Sequence, residues 1–470
     1  MEQYKLPSHI NPDKVFIVNR SELQGRFDTS FYKERLDFTN CTKLSKLVKI
    51  KGGKRIPLGY DYSDTETSNL YLRVADIPDE KDLDFNGLKY ISDELYYILR
   101  RYETFENDLI ISIAGSIGKI QIIKNIPKGR RVILTENCAK IVLTDNRINP
   151  EYFALVLRTK FLQKQIELGY IQTTIPKLGL DKIQELQIPA IPSLEIQQQI
   201  VDLYQEAYNQ KQQKEAEAKA LLDSIDSYLL GELGITLPEK DNSLQKRVFT
   251  TEFSKVTGNR VDSYYYKAEF INLYTAIDKG RYQVLTVKDC IRSITNGFDF
   301  RDYATSGNPY IKVANVRPYE FDFNNIQYIN LSSSELTKSI QLKKSNLLLT
   351  RKGSFGIALA LDKNYDYIIS SEVFYLDLKN DIISSGYMEA FFNSSIDQMI
   401  FDRIKIGAIM GSLSQEAVLN MKIPLPPLEK QNEIAQHIQS VREQAKQLQN
   451  DAKTILEQAK KEVEEIILYN

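Results

Sequence analysis

The chain has 470 residues, with 61 Lys and Arg against 62 Asp and Glu and a formal net charge of −1, so it is long enough to bury two or more cores. Its three cysteines (Cys41, Cys138, Cys290) and two histidines (His9, His437) are far apart, which excludes a disulfide framework and a Cys/His metal cluster. The opening residues carry no apolar leader-like region and no apolar run approaches transmembrane length, so a cytoplasmic protein without membrane association is expected.

Residues 1–193 are expected to form a first globular domain. Its opening, Val15-Phe16, Gly25-Arg26-Phe27-Asp28 and Phe31-Tyr32, leads into a helix predicted over 32–38. Residues 71–77 read as an alternating strand with Arg73 on its polar face. Pro78-Asp79-Glu80-Lys81 bunches its acids in a turn without metal-site geometry and is expected to be surface loop. Residues 108–123 read as strand, tight turn (Gly115-Ser116-Ile117-Gly118-Lys119) and strand, 136–143 as a further strand, and 152–168 as a helix. A polar loop, Gln172-Thr173-Thr174-Ile175-Pro176-Lys177, then leads to a proline stop at Pro189 and Pro192.

A central spacer helix and linker are expected over 194–240, with Ile200, Tyr204, Leu221 and Ile225 on its seam. A second domain follows over 241–427, and a C-terminal spacer helix over 428–470. In the last helix Ile434, Val441, Leu448 and Ile455 recur at a seven-residue step and Ile438, Ala445, Ala452, Ala459 and Ile466 give a second register, which predicts a coiled-coil seam. At about 1.5 Å per residue such a helix reaches ~60 Å and needs a partner to bury its stripe.

That partner is internal, because the two halves repeat. Val248-Phe249, Arg260-Val261-Asp262 and Tyr265-Tyr266 return the opening, and a helix is expected over 265–277. Residues 310–316 return the strand with Lys312, 347–361 the hairpin with Gly353-Ser354-Phe355-Gly356, 372–378 the next strand, and 387–404 the helix. Gly411-Ser412-Leu413-Ser414-Gln415 returns the polar loop. Lys54-Arg55-Ile56-Pro57 has no clear match, and Asn296-Gly297-Phe298-Asp299-Phe300-Arg301 stands in its place. The expected fold is therefore α+β: a tandem pseudo-two-fold repeat of two mixed, strand-rich domains joined by two long antiparallel coiled-coil helices.

No phosphate-cradling loop, dinucleotide fingerprint, amino-methyltransferase motif or nucleophile–base pair is present in the sequence. The helix stretches 194–233 and 428–470 carry −5 and −2, which leaves +6 on the remainder, a modestly basic balance suited to phosphates. Candidate DNA-binding residues in the first half are Lys51, Lys54, Arg55, Arg73, Ser116, Lys119, Gln172, Thr173, Thr174 and Lys177. Those in the second half are Arg301, Lys312, Arg351, Lys352, Ser354, Ser412 and Ser414. Basic side chains contact phosphates, and loop Arg, Gln, Ser and Thr can read base edges. A coiled-coil scaffold that binds only proteins is the alternative, and an enzyme acting alone is a third reading.

Over nearly its whole length the sequence resembles the specificity subunit of a type I restriction-modification enzyme. The resemblance rests on the strand Tyr71-Leu72-Arg73-Val74-Ala75-Asp76-Ile77 and the turn Gly115–Lys119, altered in the second half where Ile357 replaces the Lys. It rests also on the closing pattern I-P-x-x-P-x-L-E-x-Q-x-x-I at 188–200 and, one residue shorter, at 423–434. The resemblance implies two target-recognition domains, each reading one half of a bipartite, asymmetric sequence in double-stranded DNA, with the helices as a ruler for the unread spacer. It implies no catalysis and no cofactor in this chain. Two modification (methyltransferase) subunits using S-adenosylmethionine, and restriction/translocase subunits using ATP and Mg, would be its partners. A specificity chain of a type IIG-like system remains the related alternative.

Overall fold

The structure, a computed structural model, describes residues 36–169, 176–238, 260–331, 340–407 and 411–469, with scattered positions before 36 and between 248 and 256. The loop residues Gln172, Thr173 and Thr174 and most of the helix expected over 32–38 lie outside the described residues. The chain divides into two compact units, 1–213 with 451–470, and 214–450.

The first unit contains, in order, β1 (Val48–Gly52), β2 (Asn69–Leu72), β3 (Lys89–Ile91), α1 (Asp93–Leu99), β4 (Glu103–Thr104), β5 (Leu109–Ser112), β6 (Ile120–Ile122), β7 (Arg131–Leu134), β8 (Cys138–Leu143), α2 (Pro150–Arg158), α3 (Lys160–Gly169) and the first half of α4 (Leu194–Leu233). One sheet runs β1-β8-β5-β6, all antiparallel, and the other β3-β2-β7-β4, with β2 and β7 parallel. The residues of β5 are buried on both faces, which explains their continuous apolar run. Because successive side chains alternate, Leu109 and Ile111 join Tyr152, Phe153 and Val156 under the helices, while Ile110 joins Leu70, Leu72 and Val132 of the second sheet.

The second unit repeats this with α5 (Ala268–Asp278), β9 (Ile291–Asn296), β10 (Asn308–Ile311), β11 (Gln327–Ile329), β12 (Leu347–Thr350), β13 (Ala358–Ala360), β14 (Ile368–Ile369), β15 (Val373–Leu378), α6 (Ser385–Phe392), α7 (Ser395–Ile404) and the first half of α8 (Leu428–Tyr469). Its sheets run β9-β15-β12-β13 and β11-β10-β14, with β10 and β14 parallel. Leu347 and Leu349 face the helices and Leu348 the second sheet, as in the first unit.

Two local expectations are corrected, each in both copies. The strand expected over 71–77 ends at Leu72 and gives way to a 3-10 turn, Val74–Asp76. Asp76 accepts the Arg73 N–H at 2.9 Å and Asn315 accepts the Lys312 N–H at 3.1 Å, so Arg73 and Lys312 stand at strand ends. The single helix expected over 152–168 is two helices broken at Thr159, whose hydroxyl donates to Val156 O at 2.6 Å and accepts from Leu162 N at 3.3 Å. Ser394 breaks the second copy in the same way, donating to Phe391 O and accepting from Asp397 N. One hydroxyl thus closes one helix and caps the next.

The long helices α4 and α8 are continuous over 40 and 42 residues. Within the first unit Ile200 and Val201 pack in one core with Val463 and Ile467. Within the second, Tyr228 lies 3.9 Å from the His437 ring and Lys430 pairs with Glu232 at 2.8 Å, an antiparallel register. On α8 Ile434 and Val441 of the first register and Ile438, Ala445, Ala452 and Ala459 of the second are buried, while Leu448, Ile455 and Ile466 are only half-buried and Leu456, Val463 and Ile467 carry the C-terminal part of the stripe. From Ala452 the steps are four, three, four and four, closer to an 11-residue repeat than to heptads, because a straight helix drifts about 20° per heptad off a seven-residue seam. On α4, Ile200 is buried while Tyr204, Leu221 and Ile225 are half-buried, and Ala207, Ala218, Leu229 and Leu233 complete the stripe. Among the described residues no helix is long and apolar enough to cross a membrane.

Candidate nucleic-acid interface

In each unit β1 and β5, or β9 and β12, end where β8 or β15 begins, and the parallel pair β2/β7 or β10/β14 ends beside them. The loops leaving these ends carry most of the candidate residues. Directly after β1, a Cβ on Gly53 would meet Thr135 O at 2.0 Å, and after β9 one on Gly297 would meet Ile369 O at 1.8 Å. Only glycine permits this approach. The next residues bond alike: Lys54 N donates to Leu134 O at 2.9 Å and Phe298 N to Ile369 O at 3.3 Å. A buried tyrosine hydroxyl closes each loop base, Tyr71 onto Lys54 O at 2.7 Å and Tyr310 onto Phe298 O at 2.8 Å. Burial pushes the Tyr71 phenol up to about 12, so it remains a donor.

These bonds correct the sequence alignment: Gly53-Lys54-Arg55 does have a counterpart, Gly297-Phe298-Asp299. Fifteen residues lie between Gly53 and Asn69 and 10 between Gly297 and Asn308, and this difference in loop length hid the match. Arg55 Nε donates to Glu136 Oε1 at 2.6 Å, and the Thr135 hydroxyl donates to Glu136 Oε2 at 2.8 Å. Burial raises the Glu136 carboxyl, but the hydrogen bonds from Arg55 and Thr135 outweigh it and hold the group below the usual carboxylate range. In the second unit Ser371 donates to Asp299 Oδ1.

The glycine turns also match. Lys119 N donates to Ser112 Oγ at 2.9 Å and Ile357 N to Thr350 Oγ1 at 2.9 Å, while both hydroxyls donate back across the turn, to Ser116 O and Ser354 O. Gly115, Gly118, Gly353 and Gly356 all have positive φ (76°, 87°, 69° and 81°), which makes this a tight hairpin. Ser116 and Ser354 are exposed at its tip. Beside it the polar loop bridges back, Lys177 against Ala114 and Ser412 against Lys352. Each turn therefore carries one exposed lysine, on opposite strands in the two copies.

Other candidates sit differently. Lys119 turns away from the tip to pair with Asp79 at 2.7 Å and Ile77 O at 3.3 Å. At its place in the second unit Ile357 packs against the same core as Val313, Val316 and Phe321, so both residues brace the region around the 3-10 turn. Ser414 caps the short helix Gln415–Leu419, accepting from Ala417 N at 3.1 Å. Arg73 makes a bidentate pair with Asp76 at 2.9 and 2.6 Å and faces Tyr62, and Lys312 bonds the Tyr303 hydroxyl at 2.7 Å. Arg351 reaches Ser371 O at 3.3 Å over the Phe374 ring. Lys51 on β1 and Arg301 in the loop after Gly297 are exposed.

Sequence reasoning missed Glu136 and Asp299, because a search for groups that suit phosphates passes over acids, and Ser371, because it lies outside the turn and polar loop that supplied the hydroxyl candidates. It also read Glu80 as plain surface loop, whereas Glu80 pairs with Lys460 of α8 at 2.6 Å and Lys211 of α4 at 3.1 Å. Among the described residues no group of three or more His, Cys, Asp or Glu is placed to hold a metal. Burial pushes the thiols of Cys138 and Cys290 up to about 12 and about 11, far from nucleophilic.

Two copies of one loop-bearing scaffold, with different side chains at matched positions, define a recognition protein built by duplication. A family model, the type I restriction modification DNA specificity domain, matches residues 41–220 and again 282–458, and the chain belongs to that family. The chain is 20% identical over 376 residues to the type I restriction enzyme MjaVIII specificity subunit of Methanocaldococcus jannaschii, covering 77% of this chain and 78% of that protein. It is 30% identical over 137 residues to the EcoBI specificity subunit of Escherichia coli, covering 28% of this chain and 26% of that protein. A solved structure from work on complex assembly and conformational transition of the type I restriction-modification system shares the fold, with TM-score 0.55 and 14% identity over 91% of this chain and 96% of that one. The chain's role is DNA specificity in a type I restriction-modification system, a recognition role rather than a catalytic one.

Proposed function

We propose that each unit reads one part of a bipartite, asymmetric sequence in double-stranded DNA, and that α4 and α8 fix the length of the unread spacer. The observation that carries this reading is the matched pair of sheet ends. Backbone anchors are the same in both units, while the residues they display differ: Lys54-Arg55 against Phe298-Asp299, and Lys177 against Ser412 beside the glycine turn. Identical anchors with different displayed chemistry suit two readers of unlike half-sites.

The chain needs no cofactor of its own in this reading. It docks two modification subunits, whose S-adenosylmethionine-dependent chemistry methylates an extruded adenine, and restriction/translocase subunits that use ATP and Mg. The Glu-, Gln- and Lys-rich exposed faces of α4 and α8 supply docking surface, and the assembly works on DNA in the cytoplasm.

The test is single-molecule methylation sequencing of DNA from cells that express the chain with its modification subunit. A split motif methylated in both parts is expected. No new methylation from a folded chain, together with DNA affinity that does not fall with salt, would leave a protein-binding scaffold instead.

A further inference from the structure

The pair Arg55/Glu136 in the first unit and the pair Asp299/Ser371 in the second occupy the same two backbone positions. Residues 55 and 299 each stand two past the pressed glycine, and 136 and 371 each stand one past the residue whose N–H bonds the parallel strand, Thr135 N to Leu72 O and Ser370 N to Ile311 O. At one of these positions the two copies carry opposite charge. A guanidinium suits a phosphate, but an exposed carboxylate is repelled by one. Base-edge hydrogen bonding is the contact type that accommodates both, since guanidinium and carboxylate are respectively donor and acceptor for groups in the major groove.

The geometry also leaves the right atoms outward. Glu136 takes Arg55 through Nε, which leaves the two terminal nitrogens of a side chain that is 78% exposed. Those two nitrogens can span two acceptors side by side. Ser371 takes Asp299 through Oδ1, which leaves Oδ2 as an exposed acceptor. Each recognition group is thus oriented by a neighbour before any ligand arrives.

We propose that Arg55 and Asp299 are matched specificity-determining residues: Arg55 reads the O6 and N7 of a guanine in one half-site, and Asp299 accepts from the N4 amino group of a cytosine in the other. This rests on the two-half-site reading above.

The experiment uses the full chain with its modification subunit and compares methylation motifs of the parent, Arg55→Lys and Asp299→Asn. Arg55→Lys keeps the charge and loses the fork, so one guanine in one half-site should relax by about tenfold or more while the other half-site stays unchanged. Asp299→Asn should relax one cytosine in the opposite half-site only. In a duplex carrying the parent motif, 7-deazaguanine at the assigned guanine should weaken the parent and leave Arg55→Ala, which has no donor at that place, unaffected. Unchanged motifs in both variants, or a uniform loss across all sequences, overturn the assignment while the parent's split motif keeps the function. A parent chain that yields no split motif overturns both.

Discussion

The Glu80 carboxylate lies 2.6 Å from the Lys460 ammonium, and its other oxygen lies 3.1 Å from that of Lys211. One side chain in the segment after the 3-10 turn thereby ties the first unit's strand-rich body to segments of both long helices. The second unit attaches its strand-rich body to α8 with other chemistry. Arg442 stacks 3.9 Å from the Tyr319 ring and donates to Pro318 O at 3.2 Å, and Lys446 pairs with Glu320 at 2.8 Å.

Burial raises the Glu80 carboxyl, but Lys460 and Lys211 outweigh it and hold it below its ordinary value. Its contribution is present above the unfolded value and is lost as pH falls through the folded one. Glu80→Gln should cost about 1–2 kcal/mol near neutral pH, allowing for solvent screening of groups that are about a third exposed, and much less in acid. Urea unfolding at two pH values and two salt concentrations checks this.

Gln197 and Gln431 are fully buried and make the same three bonds. Gln197 accepts from Asn149 N at 2.7 Å and donates to Arg147 O and Pro192 O at 3.0 and 2.9 Å; Gln431 accepts from Ser384 N at 2.8 Å and donates to Ile382 O and Pro426 O at 3.0 and 2.8 Å. Gln431→Leu strands three backbone groups, and a loss of about 2–4 kcal/mol is expected in denaturant titration.

Burial pushes the Glu389 carboxyl up to about 8, and burial likewise raises Asp397, both of whose oxygens are buried without a hydrogen-bond partner. A raised folded value means stability that is complete below the unfolded value, about 4.3 for Glu, and is lost as pH rises through the folded one. The second unit should weaken between those limits, and Glu389→Gln with Asp397→Asn should flatten the slope. Leu162 holds the place of Asp397 in the first unit, so Asp397→Leu should stabilise the second by about 1–3 kcal/mol. Thermal unfolding across pH measures both effects.

The seam on α8 can be tested residue by residue. Leu456 is 1% exposed and Ile455 only half-buried. Leu456→Ala should cost about 2–4 kcal/mol and Ile455→Ala less than about 1.5 kcal/mol. Equal costs would restore the seven-residue register.

Much of this fold was legible in the sequence because its signals are local. Paired glycines at Gly115 and Gly118, the apolar run Leu109-Ile110-Ile111 and the proline stops each act within a few residues. What escaped depends on distant partners or small bookkeeping. Thr159 breaks a helix through a hydroxyl that periodicity does not register. Asn69 and Asn308 follow their pressed glycines at different distances, which concealed the match of Arg55 with Asp299. Lys119 reads as a ligand-facing base until Asp79 is placed beside it.

Gly53 and Gly297 each press the chain against a carbonyl where no side chain fits, and a tyrosine hydroxyl locks the residue that follows. The join between scaffold and loop is thus made entirely by backbone and by residues outside the loop. The length between that join and the next strand already differs between the units while the frame is kept, and the inserts seat themselves on it through residues such as Ile56 and Phe300, so each unit is in effect a socket for inserts of different size. Loops 54–68 and 298–307 are already two such inserts of different size in one polypeptide, and a library grafted between the same two fixed ends would inherit a folded mount.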